Sequence, residues 1–368
     1  MPFWLYQGLT RLALPFVWLA FRLRGEASAR LSERLGAVGS PRRGLWFHAA
    51  SVGEIKALAP LIEHFRDDVG LITLQSRQGL ATAEALFGGR IPVQAAPFDH
   101  PGVMNRFLDS FRPTGLILYE NELWPGWLKA LEARGVRAVL LNAELGERSQ
   151  GFWRANASLL SGLSLATASD GSLALPCEVL PAQPLKLAGE APLVDESLVQ
   201  EWSEWVGASE LLIFANAHPE EAEAILVNLV EHANAKAIVA PRHPEKLKHF
   251  KRQLGEETDR LRYWTGFGNL GSLYALGGTV VLGGSFSKKT GAHSPMEALR
   301  SGRPVIVGPH AGKQRSLLAV LEQNGLITRW PEKPKGGTVD VSVLDALAGE
   351  ALSQAIRAIE LTVQSKEP

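Results

Sequence analysis

Short apolar stretches alternate with amphipathic stretches of helical period along most of the chain. Each apolar stretch predicts a buried strand, and the amphipathic stretch after it predicts a helix that packs on that strand. The predicted strands are 44–50, 69–74, 115–119, 138–141, 211–215, 236–240, 278–282 and 304–307. The predicted helices are 54–65, 79–86, 124–134, 220–232, 244–254 and 295–301. Because strands that alternate with helices form parallel sheets with crossover connections, the pattern predicts an α/β fold.

One stretch interrupts this alternation and divides the chain. Residues 175–192 are poor in charge and rich in proline and alanine, which is typical of a passage between domains. A chain of 368 residues is long enough for two domains with separate cores. The predicted segments are a first doubly wound domain at 25–180, a linker at 181–204, a second doubly wound domain at 205–340 and a helical segment at 341–368. Two such domains facing a cleft hold ligands at the carboxyl ends of their strands.

The amino-terminal segment 3–21 is mostly apolar, but Arg11 interrupts it and Arg22 and Arg24 follow it. The segment is long enough to cross a bilayer, although an arginine in its middle is costly there. The basic residues also stand on the wrong side of the apolar stretch for a signal peptide. We therefore predict a membrane-associated helix over 1–24 that lies in the membrane interface. A helix that packs on the first domain is the alternative.

Net charge and cysteine content narrow the classes of function. The 38 basic and 38 acidic residues cancel, so no overall positive field favours a nucleic-acid partner. Cys177 is the single cysteine, which excludes an internal disulfide bond and a zinc site built from several cysteines. The histidines that lack metal-ligand spacing are His48, His218, His243, His293 and His310. We therefore predict no metal.

The sequence Ser51-Val52-Gly53-Glu54 lies between a predicted strand and a predicted helix. Glu54 is therefore expected in the first turn of the helix, beside the carboxyl end of the strand. The helix dipole favours the ionised carboxylate there, which is the form that a general base needs. An acid that only complements the dipole suits the same position, so both roles stay open.

Two further carboxylates follow the predicted strand 115–119. Glu120 and Glu122 stand two residues apart, directly before Trp124 and Pro125. Like charges at such a spacing repel unless something separates them, which is unusual for a solvated loop. The residues alone leave a catalytic role and a solvated loop equally open.

The segment 283–297 is rich in small residues and connects a predicted strand to a predicted helix. The backbone at Gly284 and Ser285 can approach a ligand closely, and a helix start presents unpaired N–H groups to an anion. His293 and two neighbouring lysines add positive charge. We therefore predict that this segment binds an anion such as a phosphate group.

The helix after this segment begins with the residues of a capping box. Ser294 is the predicted cap, Pro295 the first helical residue and Glu297 the residue that closes the box. Glu297 either caps the helix in this way or binds ribose hydroxyls. Upstream, Arg242 follows the predicted strand 236–240 and suits either a phosphate contact or a surface salt bridge.

Glycines at 266, 268 and 271 have the spacing of the dinucleotide-binding fingerprint. A fingerprint of this kind needs an acidic residue at the end of the next strand, and none stands at the required distance. We therefore predict no NAD and no other cofactor.

Several motifs together resemble the family of 3-deoxy-D-manno-octulosonic acid (Kdo) transferases specific for lipid A. They occur in the family's order and extend over most of the chain. The motifs are Glu33-Arg34-Leu35-Gly36, His48-Ala49-Ala50-Ser51-Val52-Gly53-Glu54, Glu120-x-Glu122-x-Trp124-Pro125, Asn142-Ala143, Pro241-Arg242-His243 and Gly283-Gly284-Ser285-Phe286.

The resemblance implies a GT-B fold whose amino-terminal domain receives a lipid A precursor and whose carboxy-terminal domain holds CMP-Kdo. It implies inverting transfer of Kdo to this precursor, lipid IVA, in lipopolysaccharide biosynthesis at the cytoplasmic face of the inner membrane. Glu54 matches the family's general base, and Glu120 and Glu122 match residues of its catalytic cleft. The other matches are Ser51 and Gly53 toward the acceptor, Phe267, Gly268 and Asn269 toward the cytosine, and Arg242, His243, Gly284, Ser285, His293, Ser294 and Glu297 toward the rest of the donor.

Three segments depart from the family's pattern. The family shows Gly-Gly-His-Asn-x-x-Glu-Pro where this chain has 291–298, with Ser294 in place of the asparagine. It shows Gly-Asn-Leu-Lys where this chain has Gln-Pro-Leu-Lys at 183–186, and a basic residue where this chain has Glu144. A divergent paralogue is therefore the alternative. It would be a GT-B transferase or epimerase that uses another nucleotide sugar, or a catalytically inactive lipid-binding protein.

Overall fold

The structure of the protein is a computed structural model that describes residues 2–169, 173–266, 268–334 and 337–364. The chain divides into two compact units. The first unit consists of Met1–Ala188 and Ala348–Pro368, and the second consists of Gly189–Leu347. The boundary after Ala188 lies inside the segment 175–192, whose composition predicts a passage between domains.

Among the described residues, the first unit contains a seven-stranded parallel sheet in the order β3-β2-β1-β4-β5-β6-β7. Its strands are β1 (Gly44–Ala49), β2 (Val69–Leu74), β3 (Val93–Ala95), β4 (Pro113–Tyr119), β5 (Ala138–Leu141), β6 (Leu163–Ala168) and β7 (Glu178–Pro181). The four strands that the sequence predicts in this part of the chain are confirmed. The sequence does not predict β3, β6 and β7. Of these, β3 is short and β7 is a partly exposed edge strand that ends in proline.

The helices of the first unit cover both faces of this sheet. They are α1 (Phe3–Leu23), α2 (Ser28–Arg34), α3 (Val52–His64), α4 (Arg77–Phe87), α5 (Pro101–Ser110), α6 (Pro125–Glu132) and α7 (Glu147–Ala155). Successive side chains of β1 point to opposite faces. Phe47 lies in one core with Leu58 of α3. On the other face, Trp46 packs against Phe107 of α5 and Trp127 of α6, with ring centroids 4.7 and 4.8 Å away.

The second unit contains, within the described residues, a six-stranded parallel sheet in the order β10-β9-β8-β11-β12-β13. Its strands are β8 (Leu211–Ala217), β9 (Lys236–Pro241), β10 (Leu261–Tyr263), β11 (Thr279–Leu282), β12 (Val305–Val307) and β13 (Thr328–Arg329). Its helices are α8 (Glu196–Val206), α9 (Ala222–Glu231), α10 (Leu247–Leu254), α11 (Leu270–Ala275), α12 (Met296–Arg300) and α13 (Arg315–Gln323). The two Rossmann-like units confirm the predicted α/β architecture.

The last helix, α14 (Val341–Gln364), starts in the chain segment of the second unit and continues into that of the first. Ala351, Ala355 and Ile359 are buried in the core that β1 and α3 form. The Oε1 atom of Gln354 accepts the N–H of Gln183 at 2.7 Å, so α14 also supports the chain after β7. The sequence predicts a helix here but gives no sign that it completes the first core.

Both sheets reverse their strand order at one point, between β1 and β4 in the first and between β8 and β11 in the second. Connections leave such a point toward opposite faces of the sheet, which opens a crevice at the carboxyl ends of the two strands. Ligands of doubly wound folds bind in this crevice. The residues after β1, β4, β8 and β11 are therefore the first places to look for chemistry.

Helix α1 presents an apolar surface, with Trp4, Leu12 and Phe16 each more than 70% exposed. It is also attached to its unit, because the Tyr6 hydroxyl donates to the buried Asp99 carboxylate. No helix in the described parts of the chain is both long enough and apolar enough to cross a membrane. The predicted membrane association stays a prediction.

Candidate active site

The turn between β1 and α3 holds Glu54 in the first turn of the helix, as the sequence predicts. Ser51 is the N-cap, and its hydroxyl oxygen accepts the Glu54 N–H at 3.4 Å. The Glu54 carboxylate accepts the Ala50 N–H at 2.6 Å with one oxygen and the Ser51 hydroxyl at 3.0 Å with the other. Gly53, in the same turn, is exposed. A carboxylate has about four acceptor positions, so these bonds orient Glu54 and leave positions for a proton.

Three carboxylates lie near the buried hydroxyl of Tyr119, at the end of β4. Burial raises the pKa of Tyr119 well above its ordinary value, and the negative charges of Glu120, Glu54 and Glu144 raise it further. Charges perturb a pKa in this way over short distances only. Glu54 and Glu120, which the sequence places far apart, thus follow the two strands of the strand-order reversal, β1 and β4.

An ion pair compensates the charge of Glu120. The Nζ atom of Lys186 lies 2.5 Å from Glu120 Oε1, and the two side chains are only 17% and 12% exposed. Lys186 belongs to a short 3-10 helix, Leu185–Ala188, that follows β7. Lys186 therefore places a cation against the Glu120 carboxylate where little solvent reaches either side chain.

Asn142, at the end of β5, holds this 3-10 helix beside Glu120. Its Nδ2 donates to the Gln183 carbonyl oxygen and its Oδ1 accepts the Leu185 N–H, both at 2.9 Å. Asn142 and Glu120 share a left-handed backbone conformation, with φ of 47° and 53°. Residues other than glycine hold this conformation where surrounding bonds enforce it, commonly at functional sites.

Glu122 lies in a separate hydrogen-bond chain that starts in the core. Its Oε2 accepts from His48 Nε2 at 3.2 Å and from Trp124 Nε1 at 3.0 Å. On the other side of the fully buried ring, His48 Nδ1 lies 2.9 Å from the hydroxyl of Thr73. In the neutral ring, Nε2 carries the proton toward the carboxylate, and Nδ1 accepts from Thr73. Glu122 thus bonds with His48 and Trp124, whereas Glu120 pairs with Lys186.

In the second unit, the buried Glu221 holds the turn after β11. Its carboxylate accepts three backbone N–H groups, from His218 at 2.9 Å, Gly284 at 2.8 Å and Phe286 at 3.0 Å. Burial raises the pKa of Glu221, although the three donors act in the opposite direction. The amides of Gly284 and Phe286 that donate to Glu221 are fixed inside the protein. The anion site that we predict in this turn must therefore use other groups.

Ser285 has a structural part in this turn. It is fully buried, its hydroxyl donates to the Leu282 carbonyl oxygen at 2.5 Å, and it accepts the Gly308 N–H at 2.8 Å. The capping box predicted at α12 is wrong. The N-cap is Pro295, and the Ser294 hydroxyl accepts only distantly from the Met296 N–H, at 3.4 Å. The helix begins one residue later than predicted because Pro295 itself occupies the cap position.

His218 and His293 form a close pair at the ends of the crevice strands. Their Nε2 atoms lie 2.7 Å apart, so one ring donates a proton to the other. Burial first, and then the neighbouring groups His218, Arg242 and His243, lower the pKa of His293 to about 4. Burial also lowers the pKa of His218. Both rings are therefore neutral at pH 7.

The other residues predicted at the donor site lie near this pair, in the turn before α11 or in α12. Arg242 is exposed after β9 and donates to Asn216 Oδ1 at 3.4 Å, and His243 is also exposed. Gly268 has a φ of 84° and Asn269 is the N-cap of α11, while Phe267 lies outside the described residues. Glu297 is exposed in the first turn of α12.

Two residues that hold the site escape the sequence analysis. Lys186 gives no local signal, because its pairing with Glu120 depends on how β4, β5 and β7 are ordered in the sheet. Glu221 does give one. It stands just after a predicted strand and near the start of a predicted helix, which is the pattern that singles out Glu54.

Metal and cysteine chemistry find little support in the described residues. No group of three or more His, Cys, Asp or Glu side chains there is placed to hold a metal ion. Cys177 is half-buried, and burial raises the pKa of its thiol to about 11. The thiolate that a nucleophile needs is therefore scarce at neutral pH.

Comparison with known proteins finds one family of transferases. Residues 29–184 match the family model described as 3-Deoxy-D-manno-octulosonic-acid transferase (kdotransferase). The 3-deoxy-D-manno-octulosonic acid transferase of Bordetella pertussis is 29% identical over 358 residues, which cover 83% of each chain. The enzyme of the same name from Haemophilus influenzae is 28% identical over 321 residues, which cover 76% of this chain and 75% of the relative.

The chain carries a Kdo transferase domain at residues 29–184 and is a glycosyltransferase.

Solved structures agree with a GT-B fold. Anabaena Alr3699/HepE in complex with UDP-glucose has a TM-score of 0.52 at 14% identity, over 88% of this chain and 98% of that one. MurG of Acinetobacter baumannii has a TM-score of 0.51 at 11% identity, over 88% of this chain and 95% of that one. At such identities the likeness shows the fold alone. The roles of the individual site residues stay predictions.

Proposed function

We propose that this Kdo transferase moves Kdo from CMP-Kdo to a lipid A precursor, lipid IVA, in lipopolysaccharide biosynthesis, with inversion at the anomeric carbon. The observation that carries the proposal is the orientation of the Glu54 carboxylate by Ala50 and Ser51 at the strand-order reversal of the first unit. The names of the curated relatives support Kdo as the transferred group.

In this proposal, Glu54 is the general base. It takes the proton of an acceptor sugar hydroxyl while that oxygen forms a bond to the anomeric carbon of Kdo. The bond from this carbon to the CMP phosphate breaks, and its electron pair leaves with CMP. Ser51 and Gly53 border the same turn and contact the acceptor. Glu120 adds a negative charge near this turn, and its ion pair with Lys186 partly neutralises that charge.

The second unit holds the donor in this proposal. Arg242 and His243, both exposed beside the His218 and His293 pair, supply cationic and hydrogen-bonding groups for the CMP phosphate. Such fixed groups stabilise the charge that develops on the leaving phosphate without needing a metal. Gly268 and Asn269 lie in the turn assigned to the cytosine.

The direct test is incubation of the full chain with CMP-Kdo and lipid IVA, followed by mass analysis of the lipid. A mass increase of one or more Kdo units supports the proposal. If the lipid is unchanged, a thermal-shift screen separates the alternatives, since a ligand that binds the native state raises its stability. Stabilisation by a uridine nucleotide indicates another donor, and no stabilisation by any nucleotide indicates an inactive lipid-binding protein.

We further propose that α1 attaches the enzyme to the cytoplasmic face of the inner membrane. Deletion of residues 2–24 is expected to release the protein from vesicles and to leave it folded, because no residue of α1 is buried. Vesicle flotation and circular dichroism measure the two properties. Phe16→Glu is the matched point variant, since it changes an exposed apolar residue and keeps the bond from Tyr6 to Asp99. Aggregation of the truncated protein with loss of helix signal would contradict this proposal.

Binding of CMP is expected to take up protons at pH 7. In the free protein, the lowered pKa values keep His218 and His293 neutral. A bound phosphate dianion raises these pKa values, so the complex holds more protons than the free protein, and affinity rises as the pH falls from 8 to 7. The charged and titratable groups that face the pair are Glu220, Arg242, His243 and Lys246.

Calorimetry in two buffers of different ionisation enthalpy measures this uptake. His293→Asn is expected to reduce the proton uptake. The control is His232→Asn, which removes a histidine that pairs with Glu210 instead, and it should leave the uptake as in the wild type. Equal uptake by the wild type and His293→Asn would refute the assignment of the proton to this pair.

A further inference from the structure

A cavity of about 470 Å³ lies beside the turn that carries Glu54. It belongs to the first unit and opens at the carboxyl ends of β1 and β2. Its wall includes Ala50, whose N–H donates to Glu54, and Ser76, whose N–H donates to the Ala50 carbonyl oxygen at 3.1 Å. The two turns that line the cavity are thus joined to each other and to the Glu54 carboxylate.

Arginine side chains give this cavity an excess of positive charge. Arg24 and Arg77 line it. Arg77 is held by Glu26, with Nε 3.4 Å from Oε2, and by donation to the Arg24 carbonyl oxygen. Glu26 is buried, and its other oxygen is bound by the buried Arg34 at 2.9 Å. The guanidinium groups of Arg34 and Arg77 therefore share the Glu26 carboxylate, and Arg24 adds a further positive charge to the cavity lining.

We propose that this cavity binds a phosphate group on the sugar head group of the glycolipid acceptor. The inference rests on the proposed function, because it concerns the acceptor of the same transfer. A guanidinium group binds phosphate oxygens through paired hydrogen bonds. A volume of about 470 Å³ lies within the range of pockets that hold small ligands, and it accommodates a phosphorylated sugar.

The position of α1 favours a lipid over a free phosphate. Phe21 of α1 lines the cavity, and Arg24 is the C-cap of this helix. Leu23 is 77% exposed and Phe16 is 73% exposed, so the same helix also carries an exposed apolar surface. A glycolipid whose phosphate enters the cavity places its acyl chains beside this apolar surface. The sugar hydroxyl then lies near the turn of Glu54.

Arg24→Gln, with Arg22→Gln as the matched control, tests this site. Both residues are exposed near the end of α1 and each variant removes one positive charge, but Arg22 does not line the cavity and donates to Ser28 Oγ. The probe is N-acetylglucosamine 1-phosphate, titrated by calorimetry into the full chain with saturating CMP to occupy the proposed donor site. Loss of one charge-assisted hydrogen bond is expected to weaken its binding by about 10-fold or more. Arg22→Gln is expected to bind it like the wild type.

Two further ligands separate the sources of the effect. The neutral sugar N-acetylglucosamine is expected to bind Arg24→Gln and the wild type equally. Inorganic phosphate is expected to bind the wild type more weakly than the sugar phosphate. Equal losses in the two arginine variants, no binding by the wild type, or equal affinity for inorganic phosphate would each overturn the assignment. If the wild type still transfers Kdo in such a case, the proposed function stands and only the phosphate site is wrong. If the transfer assay alone fails, the Arg24-dependent binding of the sugar phosphate is unaffected.

Discussion

Replacement of Glu54 by glutamine is expected to lower the turnover number by a factor of about 10²–10⁴, which is the usual contribution of a positioned general base. The glutamine side chain has the same shape, and it can still accept the Ala50 N–H and bond with the Ser51 hydroxyl. The cap of α3 is therefore kept. What the amide lacks is the capacity to take a proton from a sugar hydroxyl. Turnover is measured with CMP-Kdo and acceptor in excess.

Two controls show whether the loss belongs to the chemistry. Glu54→Gln should retain the circular dichroism spectrum and the CMP affinity of the wild type. Glu196→Gln removes an exposed acid from the first turn of a different helix, α8, and should leave turnover unchanged. If Glu54→Gln turns over like Glu196→Gln, the Glu54 carboxylate only caps its helix, and the base must be sought elsewhere.

Replacement of Lys186 by methionine is expected to destabilise the protein by about 3 kcal/mol, because it leaves the Glu120 carboxylate without its cation in a largely buried place. For a unit of this size, that corresponds to a fall of roughly 6–12 °C in the midpoint of unfolding. The 3-10 helix itself keeps its anchors, since Asn142 binds its backbone. Thermal unfolding followed by circular dichroism gives the measurement.

The control for this change is a surface pair of the same residue types. Lys129 lies 2.6 Å from Glu132, but the side chains are 47% and 38% exposed, so Lys129→Met should cost less than about 1 kcal/mol. The double variant Lys186→Met with Glu120→Gln should regain part of the lost stability, because no charge is left uncompensated. The ion pair would be unimportant if Lys186→Met were as stable as Lys129→Met, or if the second change brought no recovery.

The strands and the helices that pack on them could be predicted because their signals are local. A run such as Val69–Leu74 is buried over its whole length, and an apolar run of this kind has few other places in a soluble fold. The turn of Glu54 could also be predicted, since a cap, a first-turn acid and a preceding strand lie within a few residues. The capping box at Ser294 could not, because the backbone at Pro295 already takes the cap position.

The partners of the candidate catalytic residues depend on contacts between distant segments. No residue near Glu120 in the chain indicates that Lys186 is its partner. Three strands, β5, β6 and β7, separate the two residues in the chain, and Lys186 reaches Glu120 because these strands are neighbours in the sheet and Asn142 binds the turn. In the same way, Glu122 meets His48 because β1 and β4 are neighbours, and Gly284 meets Glu221 because β8 and β11 are neighbours.

The order of residues was thus sufficient for the fold class, for the family and for the ends of strands at which chemistry could occur, because periodicity and short motifs are properties of neighbouring residues. The charge state and orientation of the side chains at those ends were not accessible in this way. The neutral His218 and His293 pair, the compensated Glu120 and the cavity at Arg24 and Arg77 each combine residues from separate elements. Burial and pairing set their electrostatics, and both exist only once the sheets have formed.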